Sequence, residues 1–223
     1  MYIKVQSITF FKLAEDNIFW NMIKNREEAA IALSHKLSHL PAEKLVILGI
    51  PRGGVVMAKI IAEQLSVPFD VVMTKKIGHP RNPELAVGAV SLDSEVAMSK
   101  LAIPEKYFNE KAEEIRKLLR ERYEKYTGKR DCTSWGGHTV VLVDDGIATG
   151  NTMMATIKLI KKQKPDKIVV AVPLAPPNIV KKIGEAVDEF IVLACPENFS
   201  AIGQFYEEFH QVDDEEVISL LNA

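Results

Sequence analysis

The sequence has 223 residues, 47% hydrophobic and 26% charged, which is typical of a globular chain with one large domain. Its formal net charge of -2 provides no excess of Lys and Arg for a broad contact with nucleic acid. The apolar stretch at residues 8–11 is too short for a membrane span or a signal core, so we expect a cytoplasmic protein without a membrane partner.

Apolar runs of strand length alternate with helical patterns along most of the chain. The strand-like runs lie at 45–50, 69–74, 139–145, 167–174 and 189–195, and the helical patterns at 25–37, 55–65, 152–163 and 177–186. Strands this apolar are buried on both faces. The pattern predicts an α/β fold with a doubly wound, mainly parallel sheet.

The segment between the two halves has a different composition. Residues 75–93 combine two prolines, two glycines and basic residues with a few apolar ones, which predicts a long loop followed by a short strand. A charged helix is predicted at 104–127. The cysteines Cys132 and Cys195 lie far apart without metal-ligand spacing, so we expect reduced, structural thiols.

Three polar loops follow predicted strands and should meet at one edge of the sheet, because ligands of open parallel sheets bind at the carboxyl ends of the strands. The first is GIPRGG, where Gly53 and Gly54 open a helix and allow a close approach to an anion. The second begins with the two cations Lys75 and Lys76. The third runs from Asp144 to Thr152.

The third loop combines two acids with a helix N-terminus. Its second half offers backbone amides, two hydroxyls and the positive end of a helix to a phosphate monoester; these residues are Ala148, Thr149, Gly150, Asn151 and Thr152. Asp144 and Asp145 would repel a polyphosphate unless a metal ion or neutral hydroxyls lie between. A ribose 5-phosphate satisfies both halves of the loop. The alternative is that the acids end a strand and the glycines make a turn, since Gly-rich loops often have no ligand.

The quoted motifs resemble those of the type I phosphoribosyltransferases. VVLVDDGIATGNT is similar to the ribose-phosphate signature of that family, GIPRGG resembles its diphosphate loop, and Lys75 and Lys76 stand where it places a basic pair. The resemblance covers about residues 26–223 and is strongest to a group of predicted members without an assigned acceptor.

The resemblance implies transfer of a phosphoribosyl group from 5-phosphoribosyl 1-diphosphate to a nitrogen acceptor. It also implies that Mg²⁺ is bound through the diphosphate and ribose of the substrate and not by a dedicated set of protein ligands. It also implies a homodimer. Asp144 and Asp145 would hold the ribose hydroxyls, and residues 148–152 the 5-phosphate. The expected diphosphate contacts are Arg52, Gly53, Gly54, Lys75 and Lys76.

The resemblance also divides the chain: an appendage at 1–22, a core at 23–194 with a flexible active-site loop at 77–88, and a hood with a C-terminal helix at 195–223. The expected catalytic residues are Lys76, Asp145 and the loop residue Glu84, with His79 as another acid or base candidate. The expected acceptor contacts are Phe199 and Ile147, and Phe205 and Tyr206 are further stacking candidates. Ala148 stands where members acting on 6-oxopurines commonly have an acid, which disfavours such an acceptor.

Two other functions fit parts of the sequence. A regulator could keep the sugar-phosphate site to sense phosphoribosyl diphosphate without catalysis, although the retained lysines and long loop favour an enzyme. A phosphohydrolase could use the two aspartates as metal ligands, but further His or Asp residues do not cluster beside them in the sequence.

Overall fold

The computed structural model describes residues 2–5, 8–11, 22–97, 103–128 and 134–222. Ten strands and six α-helices lie in these ranges. The strands are β1 (Tyr2–Val5), β2 (Ile8–Phe11), β3 (Leu45–Gly49), β4 (Phe69–Val71), β5 (Lys75–His79), β6 (Asn82–Val90), β7 (Glu95–Ala97), β8 (Thr139–Val143), β9 (Lys167–Leu174) and β10 (Glu189–Ala194). The helices are α1 (Arg26–Leu37), α2 (Gly53–Leu65), α3 (Glu105–Thr127), α4 (Asn151–Lys162), α5 (Pro177–Gly184) and α6 (Asp214–Asn222).

Seven strands form the main sheet in the order β1-β2-β10-β9-β8-β3-β4. Every neighbouring pair from β2 to β4 is parallel, and β1 adds an antiparallel strand at one edge. The predicted α/β fold with a mainly parallel sheet is confirmed. None of the helices in the described ranges is long and apolar enough to cross a membrane.

Helices cover both faces of this sheet, which explains the four consecutive apolar residues of β8. Val140 and Leu142 belong to the core cluster on one face. Val141 and Val143 belong to the cluster on the other face. All four side chains are fully buried. The uniform hydrophobicity of the strand therefore follows from burial on two sides.

The prediction of a long loop followed by a short strand at 75–93 is wrong, because most of these residues form strands. Strands β5 and β6 pair as an antiparallel hairpin, and β7 completes a second, three-stranded sheet. Pro80 and Arg81 form the turn. The pairing register shifts on both sides of Gly78, and such a bulge breaks the regular alternation by which a strand is recognised. The expected active-site loop at 77–88 is thus mostly strand, and its mobility stays a prediction.

The N-terminal strands extend the main sheet, and the C-terminal helix α6 packs on α2 and α3. Within the expected appendage at 1–22, β2 extends the sheet by pairing with β10, while residues 12–21 lie outside the described ranges, as does Cys132. The C-terminal segment contains a short 3₁₀ helix, Ile202–Phe205, followed by α6. The backbone N–H of Ile23 donates to the Phe205 carbonyl at 2.8 Å and joins the two ends.

The double-sided burial of β8 predicts a large loss of stability when its side chains are truncated. Leu142→Ala should lower the free energy of unfolding by about 2–5 kcal/mol, because it removes buried methyl groups and leaves a cavity. Leu118→Ala is the control, since Leu118 lies on α3 and is 48% exposed; its effect should stay within about 0.5 kcal/mol. Urea denaturation followed by circular dichroism measures both. Equal losses would contradict the assignment of β8 to the core.

Candidate active site

The predicted first and third loops meet because β3 and β8 are parallel neighbours. Gly49 lies opposite Val143 in the register, and the backbone N–H of Ile50 donates to the Val143 carbonyl at 2.9 Å. A Cβ atom at Gly54 would lie 2.5 Å from that same carbonyl oxygen, so only glycine fits there. The start of α2 is therefore pressed directly against the strand end that carries the two acids.

The second half of the third loop leaves a helix N-terminus open. Gly150 precedes α4 in the left-handed region, with φ of 70°, and no side chain caps the helix. The first N–H groups of an α-helix have no partner within the helix, so they are available to a ligand. Four residues around this point are exposed to solvent, namely Ala148, Thr149, Asn151 and Thr152, whereas Gly150 itself is buried. The sequence-predicted phosphate loop thus has the local geometry for binding an anion.

An open cavity of about 460 Å³ lies at the strand ends, a size suited to a small-molecule ligand. The residues that line it are Arg26, Pro51, Arg52, Gly53, Asp144, Asp145, Phe209, His210, Gln211 and Val212. The cavity thus lies between residues 51–53 of the first loop, the two acids and residues 209–212 of the C-terminal segment. The peptide bond between Pro51 and Arg52 is cis.

Arg26 is the residue of this site that the sequence reasoning missed. Its Nε and one terminal nitrogen contact Asp145 Oδ2 at 2.9 and 2.8 Å, and its other terminal nitrogen donates to the His210 carbonyl at 2.9 Å. Both charged side chains are largely buried. A signal was present, because an arginine directly after the N-cap Asn25 puts a cation at the positive end of a helix.

The two acids differ in their hydrogen-bond partners and in their ionisation. Burial and the neighbouring charge of Asp145 raise the pKa of Asp144 well above its ordinary value of 3.8. Burial also raises the pKa of Asp145, while Arg26 opposes that shift. The backbone N–H of Asp145 donates to Asp144 Oδ1 at 2.9 Å. The surroundings of Asp144 therefore favour its protonated form more than water does, whereas a ligand that donates hydrogen bonds to it would favour the ionised form.

The C-terminal segment holds the acids from the other side. The buried Tyr206 hydroxyl donates to the Asp145 carbonyl at 2.8 Å, so this predicted stacking candidate is instead a buried anchor. Phe209 packs between Tyr206, with ring centroids 5.0 Å apart, and Arg26, whose guanidinium carbon lies 4.0 Å from the Phe209 ring centroid. The expected hood thus contacts Asp145 directly.

The predicted cations have different surroundings. Arg52 lines the cavity, and its terminal nitrogen lies 3.7 Å from Asp214 Oδ1 at the start of α6. Lys75 and Lys76 are exposed at the start of β5 and do not belong to the cavity lining that the structure describes. The structure therefore brings one of the three expected diphosphate-binding cations into the cavity.

The remaining predicted residues are less directly connected to the cavity. Glu84 lies in β6, but its side chain falls outside the described part of the structure. His79 Nδ1 accepts a hydrogen bond from the Arg81 backbone at 3.1 Å, which supports the hairpin turn. Ile147 is buried in the core, and the Phe199 ring packs 5.0 Å from Phe205. These contacts account for His79, Ile147, Phe199 and Phe205 without a ligand.

The cavity lining offers carboxylate oxygens, from Asp144 and Asp145, as possible metal ligands. Among the described residues, no group of three or more His, Cys, Asp or Glu side chains is placed to hold a metal ion. Magnesium prefers oxygen ligands and commonly binds through substrate phosphates together with water. Carboxylates beside a loop suited to diphosphate are compatible with a magnesium ion that is carried by the substrate.

Known proteins match most of the chain. The family described as "Phosphoribosyl transferase domain" matches residues 20–210. In two strains of Mycobacterium tuberculosis, CDC 1551 and H37Rv, a protein provisionally named a phosphoribosyl transferase is 36% identical over 206 residues. That match covers 90% of this chain but 46% of each relative, so the chain spans about half their length. The solved structure of TT1426 from Thermus thermophilus is 38% identical, covers 90% of this chain and 97% of that one, and has a TM-score of 0.81.

The fold and the position of the site define an α/β protein with its ligand cavity at the carboxyl ends of parallel strands. With the matches above, the chain belongs to the phosphoribosyl transferase family. The resemblance inferred from the sequence motifs is confirmed at the level of the family and of its fold.

The raised pKa of Asp144 predicts that Asp144→Asn stabilises the ligand-free protein at neutral pH. The folded state keeps this proton to higher pH than the unfolded state, so wild-type stability falls as the pH rises above about 3.8. The asparagine variant lacks that loss. Thermal melts in EDTA should show the variant gaining on the wild type between about pH 4 and pH 7.

Asp166→Asn is the matched control, since it removes one exposed carboxylate from the turn before β9. Its melting temperature should stay close to that of the wild type, because replacing an exposed surface side chain usually changes stability little. An Asp144→Asn variant whose melting temperature tracks the wild type at every pH would contradict the raised pKa.

Proposed function

We propose that the protein transfers the 5-phosphoribosyl group from 5-phosphoribosyl 1-diphosphate to a nitrogenous base or related nitrogen acceptor and releases diphosphate. The observation that carries the proposal is the cavity in which Asp144 and Asp145 face the loop of Arg52 and Gly53, beside an uncapped helix N-terminus. Membership of the family supports the class of reaction. The diphosphate donor, the acceptor and the dependence on Mg²⁺ are proposals.

The two ends of the donor would occupy different loops. The 5-phosphate would bind the free N–H groups and hydroxyls of residues 149–152, where the helix dipole favours an anion. The ribose hydroxyls would donate to the carboxylates of Asp144 and Asp145, and hydrogen bonds to charged acceptors contribute about 1.5–3 kcal/mol each. Only residues 144–150 separate the end of β8 from the start of α4, so the acids and the helix N-terminus belong to one continuous loop.

The diphosphate would lie against the loop that opens α2. Gly53 and Gly54 let this loop lie close against Asp145 and the end of β8, and the half-exposed Arg52 side chain is the cation at this point. When bound, Mg²⁺ would neutralise charge that develops on the leaving diphosphate. Lys75 and Lys76 would add to this only if the β5–β6 hairpin moves toward the cavity.

Such a movement would also exclude water from the reacting centre. An oxocarbenium-like transition state needs its leaving group neutralised and competing water removed more than it needs a protein nucleophile. The hairpin carries Lys76 and Glu84, so its closure would bring a cation and an acid or base to the site in one step. In that scheme Asp145 contributes by holding the ribose.

The acceptor would enter between the acids and the hood segment 209–212. Ala148 has no acidic group to act on the ring nitrogen of a 6-oxopurine, which disfavours hypoxanthine and guanine. A role for Phe199 as a stacking surface would require its ring to separate from Phe205. We further propose a cytoplasmic homodimer, on the chain's composition and its resemblance to the family.

A non-catalytic sensor of phosphoribosyl diphosphate is the second candidate. One observation favours it: Lys75 and Lys76 lie outside the described cavity lining, so ligand binding there does not depend on them in this conformation. A sensor would bind the donor without releasing diphosphate for any acceptor. Turnover separates the two candidates.

Calorimetric titration tests donor binding. The wild-type protein with Mg²⁺ should bind 5-phosphoribosyl 1-diphosphate, and Asp144→Asn and Asp145→Asn should each bind it about 10-fold to 100-fold more weakly, because each loses charged hydrogen bonds. Asp166→Asn should bind like the wild type. Unchanged affinity in both site variants would show that the ribose lies elsewhere, and no binding by the wild type would reject the proposed function.

Diphosphate release in the presence of a panel of nucleobases and amines tests catalysis. Glu84→Gln should bind the donor normally but slow transfer by about 10²–10⁴-fold if Glu84 moves a proton at the acceptor nitrogen. Glu114→Gln on the exposed face of α3 is the control. A normal rate for Glu84→Gln would remove it from the mechanism, and release that needs no acceptor would indicate hydrolysis.

A further inference from the structure

The guanidinium of Arg26 contacts two parts of the site, the acid Asp145 and the C-terminal residues Phe209 and His210. Two of its nitrogens contact Asp145 Oδ2, the third donates to the His210 carbonyl, and its plane lies over Phe209. A Cβ atom on Gly53 would approach Asp145 Oδ2 to 1.9 Å and Arg26 Nε to 3.1 Å. The ion pair therefore also underlies the loop proposed to hold diphosphate.

The placement of this arginine is costly. A buried guanidinium loses its hydration, and its position in the first turn of α1 is opposed by the helix dipole. Buried ion pairs often contribute little net stability compared with apolar residues of similar volume. A role in orienting groups, rather than in stabilising the fold, accounts better for an arginine here.

The hydrogen bonds around the acids leave a particular pair of oxygens free. Asp145 Oδ2 accepts from Arg26, and Asp144 Oδ1 accepts from the Asp145 backbone N–H. Asp144 Oδ2 and Asp145 Oδ1 are the carboxylate oxygens that these two contacts do not engage. One oxygen from each acid thus remains for a ligand, which matches the two vicinal hydroxyls of a ribose.

We propose that Arg26 is a positioning residue for phosphoribosyl transfer, which fixes the Asp145 carboxylate for a ribose hydroxyl and ties the hood segment 209–212 to the same carboxylate. This inference rests on the proposed function. Arg26 does not touch the reacting atoms in this scheme. It acts on the donor through Asp145 and on the acceptor side through the backbone of His210.

A double-mutant cycle tests the first half of this role. Arg26→Gln should weaken binding of 5-phosphoribosyl 1-diphosphate with Mg²⁺ by about 10-fold or more, since the Asp145 carboxylate loses its fixed orientation. In an Asp145→Asn background the same replacement should have almost no further effect, because the group through which Arg26 acts is altered. Arg120→Gln, on the exposed side of α3, is the control and should bind like the wild type.

Hydrogen exchange tests the second half. The amides of residues 206–212 should exchange faster in Arg26→Gln, because the contact with the His210 carbonyl is lost. Arg26→Lys keeps a charge for Asp145 but cannot also reach His210 with a forked group. It should therefore retain most of the donor affinity while the hood still exchanges faster, and it serves the test if Arg26→Gln does not fold.

The outcomes separate this inference from the proposed function. If the wild type binds the donor and Arg26→Gln binds it equally well, the positioning role is overturned and the proposed function stands. The same holds if the loss of affinity in the double variant equals the sum of the losses in the two single variants. Unchanged exchange of residues 206–212 in both Arg26 variants would overturn the tie to the hood. Absence of donor binding by the wild type would reject the proposed function, and the positioning role with it.

Discussion

The parallel pairing of β3 and β8 is the constraint on which the site depends. Because Gly49 lies opposite Val143, the chain leaves both strands at the same level and its next residues must share one edge of the sheet. Glycine at positions 53 and 54 lets the start of α2 lie against the end of β8. The packing of the core thereby holds the loop proposed to bind diphosphate next to the pair of acids.

The second organising interaction is the buried contact between Arg26 and Asp145. It joins α1, the end of β8 and the C-terminal segment, which are far apart in the chain. Asp144 lacks such a partner and has a raised pKa, so the two neighbouring acids differ in role although the sequence presents them as equivalent. Arg26 compensates the charge of Asp145, and the raised pKa of Asp144 favours its neutral form. The pair can therefore accept hydrogen bonds from hydroxyls without two uncompensated charges side by side.

The fold could be predicted because the central strands β3, β8 and β9 are almost entirely apolar. The loop from Asp144 to Thr152 could be predicted because its acids, hydroxyls and glycines are neighbours in the sequence. The hairpin at 75–90 was missed because a bulge at Gly78 interrupts its alternation. Arg26 was missed because its partner lies 119 residues away, and contacts at that separation depend on tertiary packing. The same reason applies to Tyr206, whose hydroxyl contacts the Asp145 backbone. The placement of Lys75 and Lys76 outside the cavity lining likewise depends on how the second sheet packs.

The central claim is that the cavity at the ends of β3 and β8 binds a phosphoribosyl diphosphate. A crystal structure of the protein with 5-phosphoribosyl 1-diphosphate and Mg²⁺ tests it most directly. The ribose hydroxyls should lie within hydrogen-bond distance of Asp144 and Asp145, the 5-phosphate on the backbone of residues 149–152, and the diphosphate against Arg52 and Gly53. A ligand bound elsewhere, or in this cavity with its phosphate away from α4, would contradict the account.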